Sequence, residues 1–317
     1  MRSFFSILLC VCCFAAHAWP TKPVRLVVAY PPGGGIDVMA RQIAEKLTPV
    51  WGQPVVVENK PGANTIVATD AVAKSPADGH TILLTTDATF SINPHLYAKL
   101  PFDTQRDFTP VTMLVLLQQL LVAHPSLPAN NLSELISLAK AKPGAINYAS
   151  YGSGSQPHLS GEMLKNKAGI DLVHVPYKGI SLAVPAVMAG EGQLTFAGIA
   201  TSMPQLKAGR IKAIAIGGAQ RSALLPQVPT FRELGFPEVE THAWFGLFLP
   251  AGSPKEAVSK IHLDVKRVLE EPEFRQKQLI DKGYEVIGSS PDEFAAYIRK
   301  DSESRARAVK ISGAKAE

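Results

Sequence analysis

Cysteine is nearly absent from this 317-residue chain, and its three cysteines all lie near the N-terminus, at Cys10, Cys12 and Cys13. They belong to the apolar run Phe4–Ala16, which is followed by a small-x-small pattern ending at Ala18. This pattern predicts a secretory signal peptide over residues 1–18 and a mature chain that begins at Trp19. Such a mature chain contains no cysteine, which excludes disulfides, thiolate nucleophiles and cysteine-based metal sites.

Long apolar runs and runs of like charge are also missing. No segment reaches the ~20 apolar residues that a membrane-spanning helix needs. The 32 Lys and Arg exceed the 27 Asp and Glu by only five, and the charges are scattered along the chain. This distribution argues against a nucleic-acid-binding stripe. The sequence therefore predicts an exported, periplasmic protein that is a monomer and binds no nucleic acid.

Motifs of the common enzyme classes are absent as well. Ser153 has Tyr151 and Ser155 where a nucleophile elbow needs glycines, and there is neither a P-loop nor an H-E-x-x-H motif. The histidines are too scattered for metal-ligand spacing. We therefore expect no enzymatic activity, no cofactor and no metal.

What the sequence does contain is an alternation of short β-branched strands with amphipathic helices, which indicates an α/β fold. Two glycine-rich turns stand out within it. The first connects the predicted strand Val24–Ala29 to the predicted helix Ile36–Leu47, and the second connects Ile146–Ala149 to Leu159–Ala168. A helix N-terminus offers unpaired N–H groups and a partial positive charge, so each turn predicts an anion site.

We expect these turns to contact one small carboxylate from two sides. The predicted ligand-binding residues of the first turn are Tyr30, Pro32, Gly33, Gly34, Gly35 and Asp37. Those of the second turn are Ser150, Tyr151, Gly152, Ser153, Gly154, Ser155 and His158. Alternatives remain for three of them: Asp37 also suits a first helical turn, Ser155 an N-cap, and His158 a hydrogen bond to a neighbouring turn.

Three further strand ends are expected to line the same cleft. They contribute Thr86 and Asp87, Lys178, and Ala197 with Gly198. A lysine at such a position attracts anions, although a solvated side chain is the commoner outcome.

The apolar run Phe108–Ala123 is either one long strand or two strands, and Trp244–Leu249 is a second extended run. Two such crossover segments predict lobe 1 from residues 19–121 and 243–317, with lobe 2, residues 122–242, inserted between them. Ligands of α/β lobes bind at the carboxyl ends of strands, where both glycine turns fall. Capping boxes are predicted at Ser253 and Ser290.

The motifs taken together resemble the periplasmic substrate-binding proteins of tripartite tricarboxylate transporters, the Bug family. The resemblance covers essentially the whole mature chain. It is carried by Tyr30–Asp37, Gln53–Gly62, Ser75–Thr81, Ile92–Tyr97, Asp107–Val111, Asn147–Ser150, His158–Glu162, Val173–Gly179 and Trp244–Phe248.

This resemblance implies a two-lobed, type II-like Venus-flytrap fold that offers a small carboxylate to a membrane permease. It places one ligand carboxylate at the backbone and bound waters of Tyr30–Asp37, and the opposite group at Ser150–Ser155 and His158. The chain departs from the family pattern in three places. They are Ala63–Val67 in place of small residues and glycines, Val184–Gly192 without the usual aspartate, and Ala197-Gly198 where Phe-Asp is common.

Two other functions stay open at this point: an exported sensor that signals to a membrane partner, and, less favoured, a hydrolase on the same scaffold. The sequence leaves dicarboxylates, tricarboxylates, aromatic acids and amino acids as ligands. The lack of a carboxylate on the second lobe's rim disfavours an ammonium-bearing ligand.

Overall fold

The structure, a computed structural model, describes residues 19–177, 180–239 and 241–315. The predicted signal peptide and Lys178 therefore lie outside the described residues. The strands are β1 Val24–Val28, β2 Val55–Asn59, β3 Thr81–Thr86, β4 Phe108–Ala123, β5 Asn147–Ser150, β6 Val173–Pro176, β7 Leu194–Gly198, β8 Lys212–Ile216, β9 His242–Pro250 and β10 Tyr284–Val286. The helices are α1 Gly35–Trp51, α2 Ile66–Ala73, α3 Asn93–Leu96, α4 Leu132–Ala141, α5 Gln156–Ala168, α6 Ile180–Met188, α7 Ile199–Lys207, α8 Lys255–Glu270, α9 Pro272–Phe274 and α10 Pro291–Ser312.

The strands form a mixed sheet in the order β2-β1-β3-β9-β4-β7-β5-β6, with β8 and β10 also paired to β4. Strands β1, β2 and β3 are parallel, as are β5, β6 and β7. Parallel strands joined by helices place all their carboxyl ends at one edge, so the loops after β1, β3, β5 and β7 are where a site can form.

Strand β4 connects the two groups of parallel strands. It pairs with β9 from Phe108 to Gln118 and with β7 from Gln119 to Ala123. The run Phe108–Ala123 is therefore one long strand, which resolves the choice left open by the sequence.

The residues of each strand group alternate between two cores. Leu26 and Val28 face α1 and α8, whereas Val27 and Ala29 face α2 and α10. In the part of β4 that pairs with the second group, Leu121 packs in one core and Leu120 in another. This period of two is the signature of strands that are covered by helices on both faces.

The helix α10 contacts both strand groups. Phe294 near its start packs with Phe248 and Trp244, while Ala308 and Val309 near its end pack with α5 and its neighbours. The helix begins with the predicted capping box, in which Ser290 accepts from the backbone N–H of Glu293.

Two predictions of local structure are wrong, and two elements were missed. Helix α5 begins at Gln156 instead of Leu159, because Pro157 occupies the first turn, where its missing N–H has no cost. Ser253 forms no capping box; its hydroxyl donates to the carbonyl of Pro250, and α8 begins without a side-chain cap. Helix α7 and strand β10 were not predicted at all.

In the part of the chain that the structure describes, no helix is both long and apolar enough to cross a membrane.

Candidate functional site

Three helices follow the carboxyl ends of parallel strands: α1 and α5 begin after the two glycine turns, and α7 begins directly after β7. Helix α1 follows β1 with Gly34 as N-cap, α5 follows β5 with Ser155, and α7 follows β7 with Gly198. None of the three N-caps makes a side-chain capping hydrogen bond within the described residues. The positive ends of three helices are thereby gathered at the strand ends, which suits an anionic ligand.

Open space lies in front of these turns. A β-carbon at Gly33, Gly152 or Gly198 would meet no described atom within 4 Å. By contrast, a β-carbon at Gly154 would collide with the side chain of Leu96, and one at Gly35 would come within 2.7 Å of the Tyr284 hydroxyl. Gly33 and Gly152 thus present backbone to open space, while Gly154 and Gly35 allow close packing.

The first turn is held by the carboxylate of Asp37. Its oxygens accept hydrogen bonds from the Gly33 N–H at 2.9 Å, Asn59 Nδ2 at 2.9 Å and Arg41 Nε at 3.1 Å. Asn59 Nδ2 also donates to the carbonyl of Tyr30 at 3.0 Å. Asp37 is buried, only 3% exposed. The carboxylate therefore braces the turn, which is the alternative that the sequence left open for it.

Burial by itself would raise the pKa of Asp37, but the hydrogen bonds from Arg41, Gly33 and Asn59 outweigh it and lower the pKa below its ordinary value. The carboxylate stays ionised at neutral pH. Because its charge is matched by Arg41, it adds little repulsion toward an anion at the turn.

The second turn is held by hydroxyl and imidazole groups. The carbonyl of Gly152 accepts from Ser155 Oγ at 2.6 Å and from Ser150 Oγ at 3.1 Å. Ser150 Oγ also lies 2.7 Å from His174 Nε2. Ser155 is the N-cap residue of α5, yet its hydroxyl bonds back into the turn instead of capping the helix.

His158 and His174 form a stacked pair beneath this turn, with ring centroids 3.9 Å apart and planes 8° from parallel. The Gly154 N–H donates to His158 Nδ1 at 2.9 Å, so that nitrogen is unprotonated. Burial, together with the neighbouring His158 and Lys165, lowers the pKa of His174 to about 4. Burial also lowers the pKa of His158. The pair is therefore neutral at pH 7, and His158 is bonded to its own turn.

A third polar group, at the end of β3, lies between the two turns. The Tyr30 hydroxyl is 2.8 Å from Thr86 Oγ1. Burial raises the pKa of both Tyr30 and Tyr151, and the nearby charge of Asp87 raises both further. The charge of Asp87 thus acts on Tyr30 of the first turn and on Tyr151 of the second.

Charged residues from α10 lie behind Asp87. Arg305 is 2% exposed; its Nη2 lies 3.7 Å from Asp87 Oδ2 and its Nε 3.4 Å from Asp301 Oδ1. Burial raises the pKa of Asp87 to about 6, against the opposing effect of Arg305. For Asp301, the charges of Arg305 and His242 overcome burial and hold the pKa well below its ordinary value.

The remaining predicted site residues lie at the same edge. Pro32, Gly34 and Gly35 are exposed in the first turn, and Ser153 is half-buried in the second. Ala197 is buried at the end of β7, next to Gly198. Lys178 is outside the described residues.

Sequence reasoning missed Arg305, Asp301, Gln119, His174 and Leu96. Arg305 and Asp301 lie one helical turn apart on α10, and an i, i+4 charge pair is a weak signal because most such pairs are solvated. Leu96 was quoted within a motif, but its contact with Gly154 joins positions 58 residues apart in the sequence, which no local pattern indicates.

Comparisons with known proteins identify the family and the fold. The family model of the tripartite tricarboxylate transporter family receptor, TctC, matches residues 39–313. The structure of R. palustris Rpa4515 with adipate is 34% identical, covers 94% of this chain and 99% of its own, and superposes with a TM-score of 0.86.

Two further solved structures are similar over comparable lengths. The periplasmic binding protein BugD is 32% identical, with coverage of 94% and 99% of the two chains and a TM-score of 0.83. MatC (Rpa3494) from Rhodopseudomonas palustris with bound malate is 32% identical, with coverage of 92% and 100% and a TM-score of 0.82. The chain is therefore a member of the TctC family of tripartite tricarboxylate transporter receptors, with the α/β periplasmic-binding-protein fold of the Bug type.

Proposed function

We propose that this protein captures a small carboxylate between two lobes in the periplasm and delivers it to the membrane permease subunits of a tripartite tricarboxylate-type transporter. The observation that carries the proposal is the set of three helix starts at parallel strand ends, with open space in front of Gly33, Gly152 and Gly198. Backbone N–H groups in such positions bind anions without a cationic side chain.

The lobes of this proposal are residues 19–121 with 243–317, and residues 122–242. Two antiparallel neighbours, β4 and β9, connect them, and paired crossover strands are a common hinge. A ligand that contacts both lobes favours the closed state by its differential affinity for that state.

The energetic requirement is modest. Each helix N-terminus contributes about 0.3–1 kcal/mol, and up to about 2 kcal/mol when partly buried. Hydrogen bonds to a charged group contribute about 1.5–3 kcal/mol each. A micromolar dissociation constant corresponds to about −8 kcal/mol, so several such contacts suffice without one dominant residue.

Dicarboxylates are the ligands that we propose to test first. Adipate is bound by the similar Rpa4515 and malate by the similar MatC. Both are flexible diacids of four to six carbons, which can reach from one glycine turn to the other.

The test is a thermal-shift and calorimetric screen of the mature chain from Trp19, after unfolding and refolding to remove any carried-over ligand. At a ligand concentration of 100 Kd the free energy of unfolding rises by about 2.7 kcal/mol, which raises Tm by several degrees. The matched diamides are expected to give no shift. An equal shift with the diamides, or no shift with any carboxylate, would overturn the proposal.

A charge variant locates the binding position. Gly33→Asp places a carboxylate in open space at the first turn, and an aspartate tolerates the positive φ of 86° better than most residues. We expect a Kd at least tenfold weaker. Gly235→Asp is the control, since Gly235 has the same φ of 86° and the same open surroundings in a turn away from the strand ends.

Delivery is tested separately, by uptake of the labelled acid into spheroplasts that carry the permease subunits, with and without added protein. Uptake that does not depend on the protein would leave a receptor that acts through another partner.

The prediction of export is checked by N-terminal sequencing of the periplasmic protein, which should begin at Trp19.

A further inference from the structure

Asp87 is a carboxyl group at the base of the proposed cleft. It directly follows β3 and is 2% exposed. The preceding residue, Thr86, has its Oγ1 2.8 Å from the hydroxyl of Tyr30 in the first turn. The charge of Asp87 also raises the pKa of both Tyr30 and Tyr151, which come from opposite turns. A ligand that touches both turns would therefore lie close to this carboxyl group.

Asp87 shares its cationic partner with a second carboxylate. Arg305 is 3.7 Å from Asp87 Oδ2, but it lies 3.4 Å from Asp301 Oδ1 and donates to the His242 carbonyl at 2.7 Å. Asp301 has more donors around it than Asp87 has. Its Oδ2 accepts a hydrogen bond from Trp244 Nε1 at 2.9 Å, and His242 Nε2 lies 3.6 Å from its Oδ1. Asp87 Oδ2 has no hydrogen-bond donor among the described residues.

The charges around Asp87 therefore do not balance when it is ionised. Two carboxylates face one guanidinium, and the groups packed around Asp87 are Arg305 and Asp301 from α10, His242 from β9, and the two tyrosines. Burial of the unmatched carboxylate raises the pKa of Asp87 to about 6. An anionic ligand brought next to this group would raise its pKa further.

We propose that Asp87 receives the ligand as a neutral carboxylic acid, donating its O–H to a ligand carboxylate oxygen, so that capture takes up one proton from solvent. This rests on the proposed function, because it requires a carboxylate ligand. The proton moves from water to the carboxyl group of Asp87, and no covalent bond of the ligand changes. Asp87 thereby becomes a specificity-determining residue, which favours anions over zwitterions.

The opposite sign would follow for a ligand with an ammonium group. Such a ligand would favour the ionised carboxylate and release a proton from any Asp87 that was protonated. The direction of proton exchange therefore distinguishes the two ligand classes at this position.

The experiment is calorimetry of the wild-type mature chain with adipate and malate from pH 5.5 to 8.5, in pairs of buffers that differ in ionisation enthalpy. Above pH 7 we expect the Kd to weaken about tenfold per pH unit, which is the slope for one linked proton. Uptake at pH 7 should be close to one proton. A Kd independent of pH, or proton release on binding, would overturn the proposal.

Two variants sharpen this test. Asp87→Asn keeps a hydrogen-bond donor without a charge, so it should bind equally at pH 6 and pH 8.5 and exchange no proton. Asp264→Asn is the matched control: Asp264 is also buried and also accepts from a tryptophan Nε1, that of Trp51, but on α8 away from the cleft. This control should keep the wild-type slope.

The failures of the two proposals are distinguishable. Carboxylate binding with no pH dependence overturns the role of Asp87 and leaves the proposed function standing. If neither adipate nor malate nor any other carboxylate binds at any pH, both fail. Should Asp87→Asn not fold, the wild-type measurement and the infrared carbonyl band of a protonated carboxylic acid, which should grow on ligand binding, still decide the question.

Discussion

Both glycine turns present backbone to open space, at Gly33 and at Gly152, but different chemistry supports them. The first depends on an ionised carboxylate, Asp37, which collects donors from Gly33, Asn59 and Arg41. The second depends on neutral groups, the stacked His158 and His174 with Ser150. Turns of the same kind can therefore be supported by different side chains. What the two supports share is that they add no unmatched charge next to the proposed anion site.

The two turns also differ in how they pack against the rest of the chain. The first turn is exposed from Pro31 to Gly35, whereas in the second Gly154 is packed against Leu96 of α3. The second turn is therefore tied to a distant segment of the chain, and the first is tied mainly to its own helix and to β2.

The largest expected effect tests this difference in packing. Gly154→Ala places a β-carbon against Leu96 and also requires a positive φ of 75°. We expect a loss of about 2–5 kcal/mol in the free energy of unfolding, from the left-handed backbone and from overpacking. Gly33→Ala, with φ of 86° and open surroundings, should lose only about 1–2 kcal/mol.

Urea denaturation measures both variants. The double variant Leu96→Ala/Gly154→Ala should lose less than the sum of the two single losses, because the cavity left by Leu96 accepts the new methyl group. Equal losses for Gly154→Ala and Gly33→Ala would show that the contact with Leu96 carries no strain.

The second prediction concerns the charged support of the first turn. Asp37→Ala removes the acceptor shared by Gly33, Asn59 and Arg41, and should cost about 1.5–3 kcal/mol at pH 7.5. Arg41→Ala should cost less than about 1 kcal/mol, because the Arg41 side chain is 54% exposed. If Arg41→Ala were the more costly, the turn would depend on the arginine's packing and not on the carboxylate.

The third prediction is that the supports of the two turns lose their contribution to the free energy of unfolding at different pH values. The folded pKa of His174, about 4, is below its unfolded value of about 6.5. The unfolded state therefore binds more protons between these values, and stability that is complete above pH 6.5 falls as the pH drops toward 4. After discounting for partial exposure, the loss is about 2 kcal/mol. Asp37, whose pKa is lowered, contributes stability that is lost only as the pH falls below about 4.

Denaturation at pH 7.5, 6 and 5 tests this order of events. In His174→Gln the fall in stability between pH 7.5 and 5 should shrink, whereas in Asp37→Asn it should match the wild type over that range. Asp87, whose pKa is raised to about 6, gains stability as the pH falls over the same range. Because it does so in the wild type and in His174→Gln alike, the comparison of these two proteins isolates His174. An equal change of stability between pH 7.5 and 5 in both proteins would contradict the assignment of the second turn as the acid-sensitive one.

The smallest effect concerns the serine at the second turn. Ser155→Ala removes the 2.6 Å hydrogen bond to the Gly152 carbonyl and should cost about 0.5–1.5 kcal/mol. Ser290→Ala, at a true capping box, should cost about 0.5–2 kcal/mol. Circular dichroism during thermal unfolding compares the two variants, and a neutral Ser155→Ala would indicate that water replaces this hydroxyl.

Much of the fold was predictable because its signals are local. The strand before Tyr30, the cap at Ser290 and the continuous apolar run from Phe108 follow from residue types and spacing alone. The support of the site was less predictable. Asp37 accepts a hydrogen bond from Gly33, only four residues away, and the sequence already placed it in the first helical turn. Asp87, by contrast, forms an ion pair with Arg305, which lies 218 positions further along the chain. Contacts between residues so distant in sequence depend on the topology, so they can be predicted only once the strand order is known.

The long strand β4 has a consequence for the order in which the chain folds. Even the pair closest in sequence, Gln118 with His242, joins positions 124 residues apart, so the β4–β9 ladder cannot form before so long a loop has been closed. Closing so long a loop costs conformational entropy, and a non-local ladder slows folding. Folding of the intervening segment shortens that loop, so pulse-labelling hydrogen exchange should find the amides of β5 and β7 protected before those of β9.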